Sequence, residues 1–359
     1  MSKTKLCVMF GGRSSEHNIS CISAEAVLNN CDKEKYEIFP VGITRDGVWW
    51  LYKGDFSRIG NGEWERDSEN LVPAVLSPCS VHKGLVVFNK PEKKYDILPL
   101  DCIIPVMHGE NGEDGRLQGL MEASGVAYVG CKTCSSALTM DKAFTKTVLD
   151  LHGIPQARWY SFTAADFFGN EGEWTEKLSD LGYPMYVKPA NAGSSLGISK
   201  VKSPEGLREA VELAARIDNK IVAEENICGM EIEVALLEER DGVKATCCGQ
   251  ICSEADFYSY ESKYVSPQSF CVIPAPLSEE VSDKVIATAK RVFSLLDCRG
   301  LSRADFFVKD SGEVIFNEIN TFPGFTSISM YPKLWEYCGI GFKELVDRLV
   351  GFATEEDKE

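Results

Sequence analysis

The sequence predicts an α/β protein that changes to an α+β arrangement in its second half, and three observations support this. Short apolar runs of strand length alternate with helical patterns through the first half, beginning at residues 5–10. The second half mixes hairpins with helices instead of alternating strand and helix. The length of 359 residues, with 44% hydrophobic residues, is sufficient for two or three well-packed domains.

The first predicted unit is a strand, a glycine turn and a helix. Residues 5–10 form the strand, and Ile19 and Ile22 recur at helical spacing after the Gly-Gly turn. The turn is not the GxGxxG fingerprint, so it does not predict an NAD site. Glu16 stands at the start of the helix, where it could cap the helix or hold the ammonium group of a ligand. The residues alone leave both interpretations open.

A glycine-rich loop follows another buried strand. Residues 101–107 are the apolar run, and residues 108–115 read HGENGEDG. In open α/β sheets, ligands bind in loops at the carboxyl ends of strands. His108 is therefore a candidate binding residue, although a single histidine at this point is equally compatible with a structural role.

A loop of small residues in the middle of the chain is a candidate phosphate site. It follows a predicted strand at residues 185–188 and reads PANAGSSLG. Small residues let the backbone fold closely over phosphates, with amides and the hydroxyls of Ser194 and Ser195 as donors. Lys188 and Lys142 are candidate charge partners for an α/β-phosphate. The run is not a Walker A sequence, and a mobile Gly/Ser loop is the alternative.

The segments flanking this loop have weaker signals. Asp141 is a predicted N-cap for a helix with Phe144, Val148 and Leu151 facing inward. Residues 167–173 are predicted to form a loop.

Two glutamates on later strands are candidate nucleotide contacts. Glu224 lies in a predicted strand at residues 221–225 and Glu231 near the start of the next, which begins at Gly229, and the two could receive an adenine amine and ribose hydroxyls. The alternative is that both are surface carboxylates in an acidic protein. Residues 257–265 include Lys263 and Tyr264. They are aromatic and polar, with neither helical nor strand periodicity, which predicts a loop or lid.

The most informative stretch is a predicted β-hairpin at residues 301–320. Arg303 and Asp305 are two apart in its first strand, as are Glu318 and Asn320 in its second, so all four could share one face. Three oxygen-bearing side chains together suit Mg²⁺, and a guanidinium beside them suits an anion. The alternative is a sheet edge with a polar face.

Composition limits the classes of partner. A net charge of −16 argues against nucleic acid or an anionic membrane as a partner. The start of the chain lacks a signal-peptide pattern and no apolar run is long enough to span a bilayer, which predicts a cytoplasmic protein. Fourteen cysteines without paired metal-ligand spacing predict ordinary reduced thiols.

Taken together, these motifs resemble the D-alanine–D-alanine ligase family in order and spacing. The matching stretches are FGGRSSEHNIS, HGENGEDGRLQG, MDK, VKPANAGSSLGISKV, SKY, SRADFF and NEINTFPGFTS, and they cover the chain from about Lys5 to Leu349. The resemblance implies a three-domain ATP-grasp fold with a Rossmann-like N-terminal domain. The expected domains are residues 1–130, 131–227 and 228–359. It also implies a cytoplasmic homodimer that joins two D-alanine molecules for peptidoglycan synthesis. The reaction would use ATP and two Mg²⁺ ions, and Mn²⁺ could substitute for Mg²⁺.

The resemblance also implies a role for each candidate residue. Glu16, helped by His108, would hold the ammonium group of the first D-alanine, and Ser194 and Tyr264 would join Glu16 in a hydrogen-bond network. Arg303 and the Gly324 amide would stabilise the oxyanion, and Ser329 would hold the carboxylate of the second substrate. The nucleotide contacts would be Lys142, Lys188, Ser195, Glu224, Glu231 and Lys263. The metal ligands would be Asp305, Glu318 and Asn320.

One departure concerns the second substrate. Ile328 stands where many relatives have histidine, close to the expected acceptor site. A D-alanine–D-serine ligase of the vancomycin-resistance type is therefore an alternative, while Tyr264 favours an amine acceptor over D-lactate. Two further alternatives are another ATP-grasp carboxylate–amine ligase and a nucleotide-binding protein without activity. Glu16 and the pairing of Ser194 with Tyr264 argue against the former, and the complete set of catalytic residues argues against the latter.

Overall fold

The computed structural model describes residues 3–89, 94–253, 269–326 and 328–356. Three β-sheets succeed one another along these ranges. No helix in the described ranges is long and apolar enough to cross a membrane. The predicted lid at residues 257–265, with Lys263 and Tyr264, lies outside the described residues.

The first sheet has eight strands and is parallel at one end. Its strands are β1 (Thr4–Gly11), β2 (Tyr36–Ile43), β3 (Trp49–Tyr52), β4 (Leu71–Leu76), β5 (Gly84–Asn89), β6 (Lys94–Pro99), β7 (Cys102–Val106) and β8 (Ala127–Tyr128), and its helices are α1 (His17–Asn30) and α2 (Arg116–Ser124). The strand order is β6-β5-β4-β3-β2-β1-β7-β8. β2, β1, β7 and β8 pair in parallel and the other pairs are antiparallel. β7 is buried along its whole length, as expected for a strand covered on both faces.

The second sheet has four antiparallel strands. They are β9 (Trp159–Thr163), β10 (Met185–Pro189), β11 (Ser199–Val201) and β12 (Lys220–Glu225), in the order β11-β10-β12-β9. The helices before and around them are α3 (Thr133–Met140), α4 (Lys142–Leu151), α5 (Ala164–Gly169), α6 (Glu171–Ser179) and α7 (Leu207–Ala215). A separate apolar core lies between this sheet and helices α5, α6 and α7.

The third sheet carries the predicted hairpin. Its strands are β13 (Met230–Glu239), β14 (Gly242–Ala245), β15 (Gly249–Ser253), β16 (Ser269–Val272), β17 (Leu301–Val308) and β18 (Val314–Asn320). Its helices are α8 (Glu279–Leu295), α9 (Met330–Tyr337) and α10 (Phe342–Glu356). The order is β16-β15-β13-β17-β18, with β14 paired to β13. The predicted turn between β17 and β18 is confirmed, because Gly312 has φ +80° and its N–H donates to the Lys309 carbonyl.

The first and third sheets share one hydrophobic core. Phe10 of β1 and Val106 of β7 belong to the same buried cluster as Phe322, Tyr331 of α9 and Leu349 of α10. α10 packs against α1 and β7, so the end of the chain covers the sheet formed by its beginning. The core of the second sheet contains no residue of this cluster.

Two details of the sequence-based prediction were wrong. Residues 167–173 belong to the end of α5 and the start of α6, with only Asn170 between the helices, and α5 begins at a reciprocal capping box formed by Thr163 and Asp166. In α4, Phe144 is 56% and Leu151 is 81% exposed, whereas Ala143, Lys146 and Leu149 face inward. The Asp141 cap itself is confirmed, since its carboxylate accepts from the N–H groups of Ala143 and Phe144.

Candidate active site

A cavity of about 200 Å³ is lined by residues of all three sheet regions. Residues that carry chemistry line it from the loops after β1, β7 and β10, the start of α4, the β13, β17 and β18 strands, and the turn after β18. These are Glu16, His108, Glu113, Lys142, Ser194, Ser195, Glu233, Arg303, Glu318, Asn320, Gly324 and Ser329. Residues about 300 positions apart in sequence therefore share one cavity.

Glu16 begins α1 but does not cap it. Its carboxylate makes no capping hydrogen bond, and it is only 7% exposed. The Ser194 hydroxyl donates to Glu16 Oε1, which joins the loop after β10 to the first sheet. An added Cβ at Gly109 would lie 2.3 Å from Glu16 Oε2, and the φ of +70° at this position favours glycine. The carboxylate is thus directed into the cavity, which leaves it able to hold an ammonium group.

His108 lines the same cavity as Glu16 and is a buried, neutral imidazole. It is 4% exposed, its Nε2 lies 3.1 Å from Ser23 Oγ, and its ring centroid lies 6.2 Å from that of Phe322. Burial lowers the pKa of His108 to about 4. At neutral pH it therefore acts as a hydrogen-bonding group and not as a cation.

Glu113, which the sequence analysis did not single out, is a second carboxylate beside Glu16. Gly109 N–H donates to Glu113 Oε2 at 2.6 Å. Burial, and then the nearby charge of Glu16, raise the pKa of Glu113 to about 8. The signal available in the sequence was its position in the HGENGEDG loop, but the Glu16 charge that helps to raise its pKa comes from a part of the chain about 100 residues away.

The predicted four-residue face of the hairpin is confirmed. Arg303 is paired with Asn320, and Asp305 with Glu318, in directly opposed positions of β17 and β18. Arg303 forms two hydrogen bonds with Asp305, Nε to Oδ1 at 2.8 Å and Nη2 to Oδ2 at 2.7 Å. Asn320 Nδ2 donates to Asp305 Oδ2 at 3.0 Å. The oxygen-bearing side chains therefore form one contiguous group.

Glu233 of β13 completes this group and was also missed. Its Oε2 lies 3.0 Å from Arg303 Nε. Burial would lower the pKa of Arg303, but the charges of Asp305 and Glu233 outweigh it and hold that pKa above its ordinary value. Glu233 follows Glu231 by two residues on the strand, which was the available signal, whereas Glu231 itself is exposed and does not line the cavity.

The donor set of the hairpin fits a hard cation. Among the side chains that the structure describes, no three His, Cys, Asp or Glu residues form a metal-binding cluster. The candidate ligands are instead two carboxylates and one amide, Asp305, Glu318 and Asn320, and Mg²⁺ prefers such oxygen donors while keeping positions for phosphate and water.

The turn after β18 presents backbone and hydroxyl groups to the cavity. Ser329 Oγ lies 2.8 Å from Thr326 Oγ1 and accepts from Thr326 N–H at 3.1 Å. An added Cβ at Gly324 would lie 2.8 Å from Ser329 Oγ, so the turn closes tightly around this serine. Ile328 beside it is 59% exposed and also lines the cavity.

The predicted nucleotide contacts fall into two groups. Lys142 and Ser195 line the cavity, and Lys142 Nζ donates to the Ala192 carbonyl in the loop after β10. Lys188 and Glu224 do not line it but form a separate buried ion pair, with Lys188 Nζ 2.7 Å from Glu224 Oε2. A second lysine that the sequence analysis missed, Lys146, lies 3.2 Å from Glu224 Oε1.

Comparisons with known proteins agree with this arrangement. The family model described as D-ala D-ala ligase N-terminus matches residues 5–131, and the one described as D-ala D-ala ligase C-terminus matches residues 148–351. A D-alanine–D-alanine ligase of Caldicellulosiruptor bescii is 44% identical over 361 residues, covering 100% of this chain and 97% of the relative. One from Ruminiclostridium cellulolyticum is also 44% identical, covering 99% and 96%.

Solved structures of similar proteins match the whole fold. The VanG D-Ala:D-Ser ligase from Enterococcus faecalis has a TM-score of 0.88 and 39% identity, covering 98% of this chain and 100% of that one. The D-alanine–D-alanine ligase from Coxiella burnetii has a TM-score of 0.84 and 32% identity, covering 99% and 96%.

The fold and the site together define an ATP-grasp enzyme of the ligase class, as the sequence predicted. The chain belongs to the D-alanine–D-alanine ligase family. Members of this family use ATP together with a divalent metal.

Proposed function

We propose that the protein joins two D-alanine molecules to D-alanyl-D-alanine at the expense of ATP, for cell wall synthesis. The observation that carries this proposal is the single cavity in which Glu16, Arg303 and the oxygen donors of the hairpin meet. An ammonium site, an oxyanion site and a metal–phosphate site are thereby brought within reach of one small substrate.

The reaction is proposed to proceed in two steps. The carboxylate of the first D-alanine attacks the γ-phosphorus of ATP, which gives D-alanyl phosphate and ADP. The deprotonated amine of the second D-alanine then attacks the acyl carbon, and inorganic phosphate leaves. Exclusion of water from the cavity would protect the acyl phosphate from hydrolysis between these steps.

The first substrate is positioned by the first sheet and the loop after β10. Glu16 holds its ammonium group, while the Ser194 hydroxyl fixes the orientation of that carboxylate. His108, neutral at pH 7, is proposed to assist Glu16 without adding a positive charge that would repel the ammonium. Tyr264 is proposed to join Glu16 and Ser194, although it lies outside the described residues.

The charged intermediate of the second step is stabilised by the third sheet. Arg303 and the Gly324 N–H are proposed to donate to the oxyanion that forms on the acyl carbon. Preorganised donors of this kind each contribute about 3 kcal/mol or more to such transition states. Ser329, held by Thr326, is proposed to bind the carboxylate of the second substrate.

The nucleotide is proposed to lie between the second and third sheets. The proposed contacts are Lys142, Lys188, Ser195, Glu224 and Glu231, with Lys263, outside the described ranges, reaching the transferred phosphoryl group. Asp305, Glu318 and Asn320 would hold two Mg²⁺ ions, with Mn²⁺ able to substitute. Such ions offset negative charge on the polyphosphate when they are bound.

Three domains, a homodimer and a cytoplasmic location complete the proposal. The domains are residues 1–130, 131–227 and 228–359. The change of sheet between β8 and β9, and again between β12 and β13, supports these boundaries.

D-Serine is a second candidate for the acceptor. Two observations favour it: the likeness to the D-Ala:D-Ser ligase VanG, and Ile328 exposed at the acceptor end of the cavity.

The test is phosphate release from ATP and Mg²⁺ with D-alanine alone, and then with D-serine or D-lactate added, with the products identified by mass. D-Alanyl-D-alanine as the main product supports the primary proposal. A dominant D-alanyl-D-serine product would assign the second candidate, and no release with any of the three acids would refute both.

A further inference from the structure

Lys146 is the most deeply buried cation among the lysines that the structure describes around the proposed nucleotide site. It is 2% exposed and lies on α4, one helical turn after Lys142. Its Nζ lies 3.2 Å from Oε1 of Glu224, while Lys188 approaches the other oxygen of the same carboxylate at 2.7 Å. Two buried ammonium groups therefore share one buried carboxylate.

Fold stability alone does not account for the second lysine. Lys188 already neutralises Glu224, and burial of a further ammonium group is costly. That cost is visible in Lys146, whose pKa is lowered by burial in spite of the neighbouring Glu224. An apolar side chain of similar length would pack at this position without that cost.

The lysine pair fixes the charge of the carboxylate. Burial alone would raise the pKa of Glu224, but Lys146 and Lys188 outweigh it and lower that pKa to about 2. An ionised carboxylate is a hydrogen-bond acceptor only. Glu224 can therefore receive an N–H donor but repels a carbonyl oxygen.

One oxygen of this carboxylate still has acceptor capacity. Glu224 Oε1 is buried and accepts no hydrogen bond from the described residues, because Lys146 approaches it at ion-pair distance without hydrogen-bond geometry. Buried acceptors in native proteins are normally satisfied, so an unsatisfied one marks a place for a ligand donor.

We propose that Lys146 is a positioning residue that acts through Glu224 to make the nucleotide site select a purine with an amino group at C6. This inference rests on the proposed function, in which Glu224 receives the adenine amine. Lys146 does not touch the nucleotide; it shares with Lys188 the role of keeping Glu224 ionised, and it holds Oε1, the oxygen that Lys188 does not pair with, in place to accept that amine.

The test compares two nucleotides that differ only in this amine. Titration calorimetry with ATP and with purine riboside 5′-triphosphate, each with Mg²⁺, gives a preference ratio without any turnover. Loss of the ammonium group that holds Oε1 weakens this charge-assisted hydrogen bond, so Lys146→Met is expected to lower the preference for ATP about tenfold. It should leave kcat at saturating ATP within about twofold, since the reacting atoms are elsewhere.

Two controls separate this role from a structural one. Lys202→Met removes an exposed lysine of the same region and should change neither affinity. In a Glu224→Gln background, Lys146→Met should have no further effect on the ratio, because the residue through which it acts is already altered.

An equal loss of affinity for both nucleotides, or an unchanged ratio, would overturn the inference. If the methionine variant does not fold, Lys146→Gln is measured in the same way and judged by the same ratio. If the proposed function is wrong, the outcome differs. The wild-type protein would still prefer ATP over purine riboside 5′-triphosphate but would form no D-alanyl-D-alanine.

Discussion

The Ser194 hydroxyl donates a hydrogen bond to the carboxylate of Glu16, across 178 residues of sequence. This contact joins the loop after β10 to the start of α1, and it is made at a residue with φ +48°, a conformation that non-glycine residues rarely adopt. The loop therefore holds an unfavourable backbone geometry at the point where it meets the proposed ammonium site.

Ser194→Ala should weaken first-substrate use while the fold is retained. Loss of a hydrogen bond to a charged group costs about 1.5–3 kcal/mol, which predicts a fall of about 10- to 100-fold in kcat/KM for D-alanine. Initial rates at varied D-alanine give this value. Ser161→Ala, an exposed serine on β9, is the matched control and should leave the rate unchanged. A Ser194→Ala enzyme with wild-type kcat/KM would exclude this role.

Arg303→Lys should reduce kcat far more than it affects binding. Lysine keeps the charge but cannot reproduce the paired contacts with Asp305 and Glu233. The loss of one oxyanion donor predicts a fall of about 10²- to 10³-fold in kcat. Steady-state rates and nucleotide affinity measured by calorimetry separate the two effects. A variant that changed KM alone would argue against oxyanion stabilisation.

Glu318→Gln should raise the Mg²⁺ concentration needed for activity. The substitution removes one of the two carboxylates of the hairpin face and leaves its partner Asp305 in place. Half-saturation by Mg²⁺, from phosphate release at fixed ATP, should increase about tenfold or more, because the remaining donors carry less charge. Glu313→Gln, an exposed carboxylate in the hairpin turn, serves as the control. Equal Mg²⁺ curves for Glu318→Gln and wild type would reject the metal assignment.

Glu113 should make the stability of the protein fall with rising pH. Its pKa is about 8 in the folded protein and 4.5 for an ordinary glutamate, so the folded state binds the proton more tightly. The contribution is full below pH 4.5 and is lost progressively as the pH approaches 8. Glu113→Gln imitates the protonated form. Between pH 5 and 8, the melting temperature of this variant should therefore fall less steeply with rising pH than that of the wild type.

Glu110→Gln is the control for this measurement, because Glu110 is exposed in the same loop. It should keep the wild-type slope. A Glu113→Gln variant with an undiminished slope would show that another group is responsible for the pH dependence.

Local signals predicted those elements whose pattern is set by neighbouring residues. The hairpin at residues 301–320 was found because its two apolar runs flank an Asp-Ser-Gly turn, and residues two apart on a strand must share a face. The shared face of Arg303, Asp305, Glu318 and Asn320 follows from that geometry alone. The Asp141 cap was predictable for the same reason, because a cap is formed by neighbours in sequence.

Burial of charged groups was not predictable from such signals. The inward face of α4 was misassigned because it includes Lys146, which a hydrophobic pattern counts as a solvent residue although its ion pair with Glu224 keeps it inside. Glu113 and Glu233 were missed for a related reason. Their significance depends on Glu16 and Arg303, which are remote in sequence and adjacent only in the folded chain.

The core shared by the first and third sheets has a consequence for synthesis on the ribosome. β1 and β7 emerge early, but Leu349 and its neighbours, which cover the same core, emerge about 240 residues after Val106. At roughly 5–20 residues per second, the part of this core that α1 does not cover stays exposed for about 10–50 s. The second sheet, with a core of its own, can fold during that interval. In a nascent chain stalled before α10, the second sheet should therefore be folded. The first sheet would still expose apolar residues to chaperones, and the region of the third sheet would be incomplete.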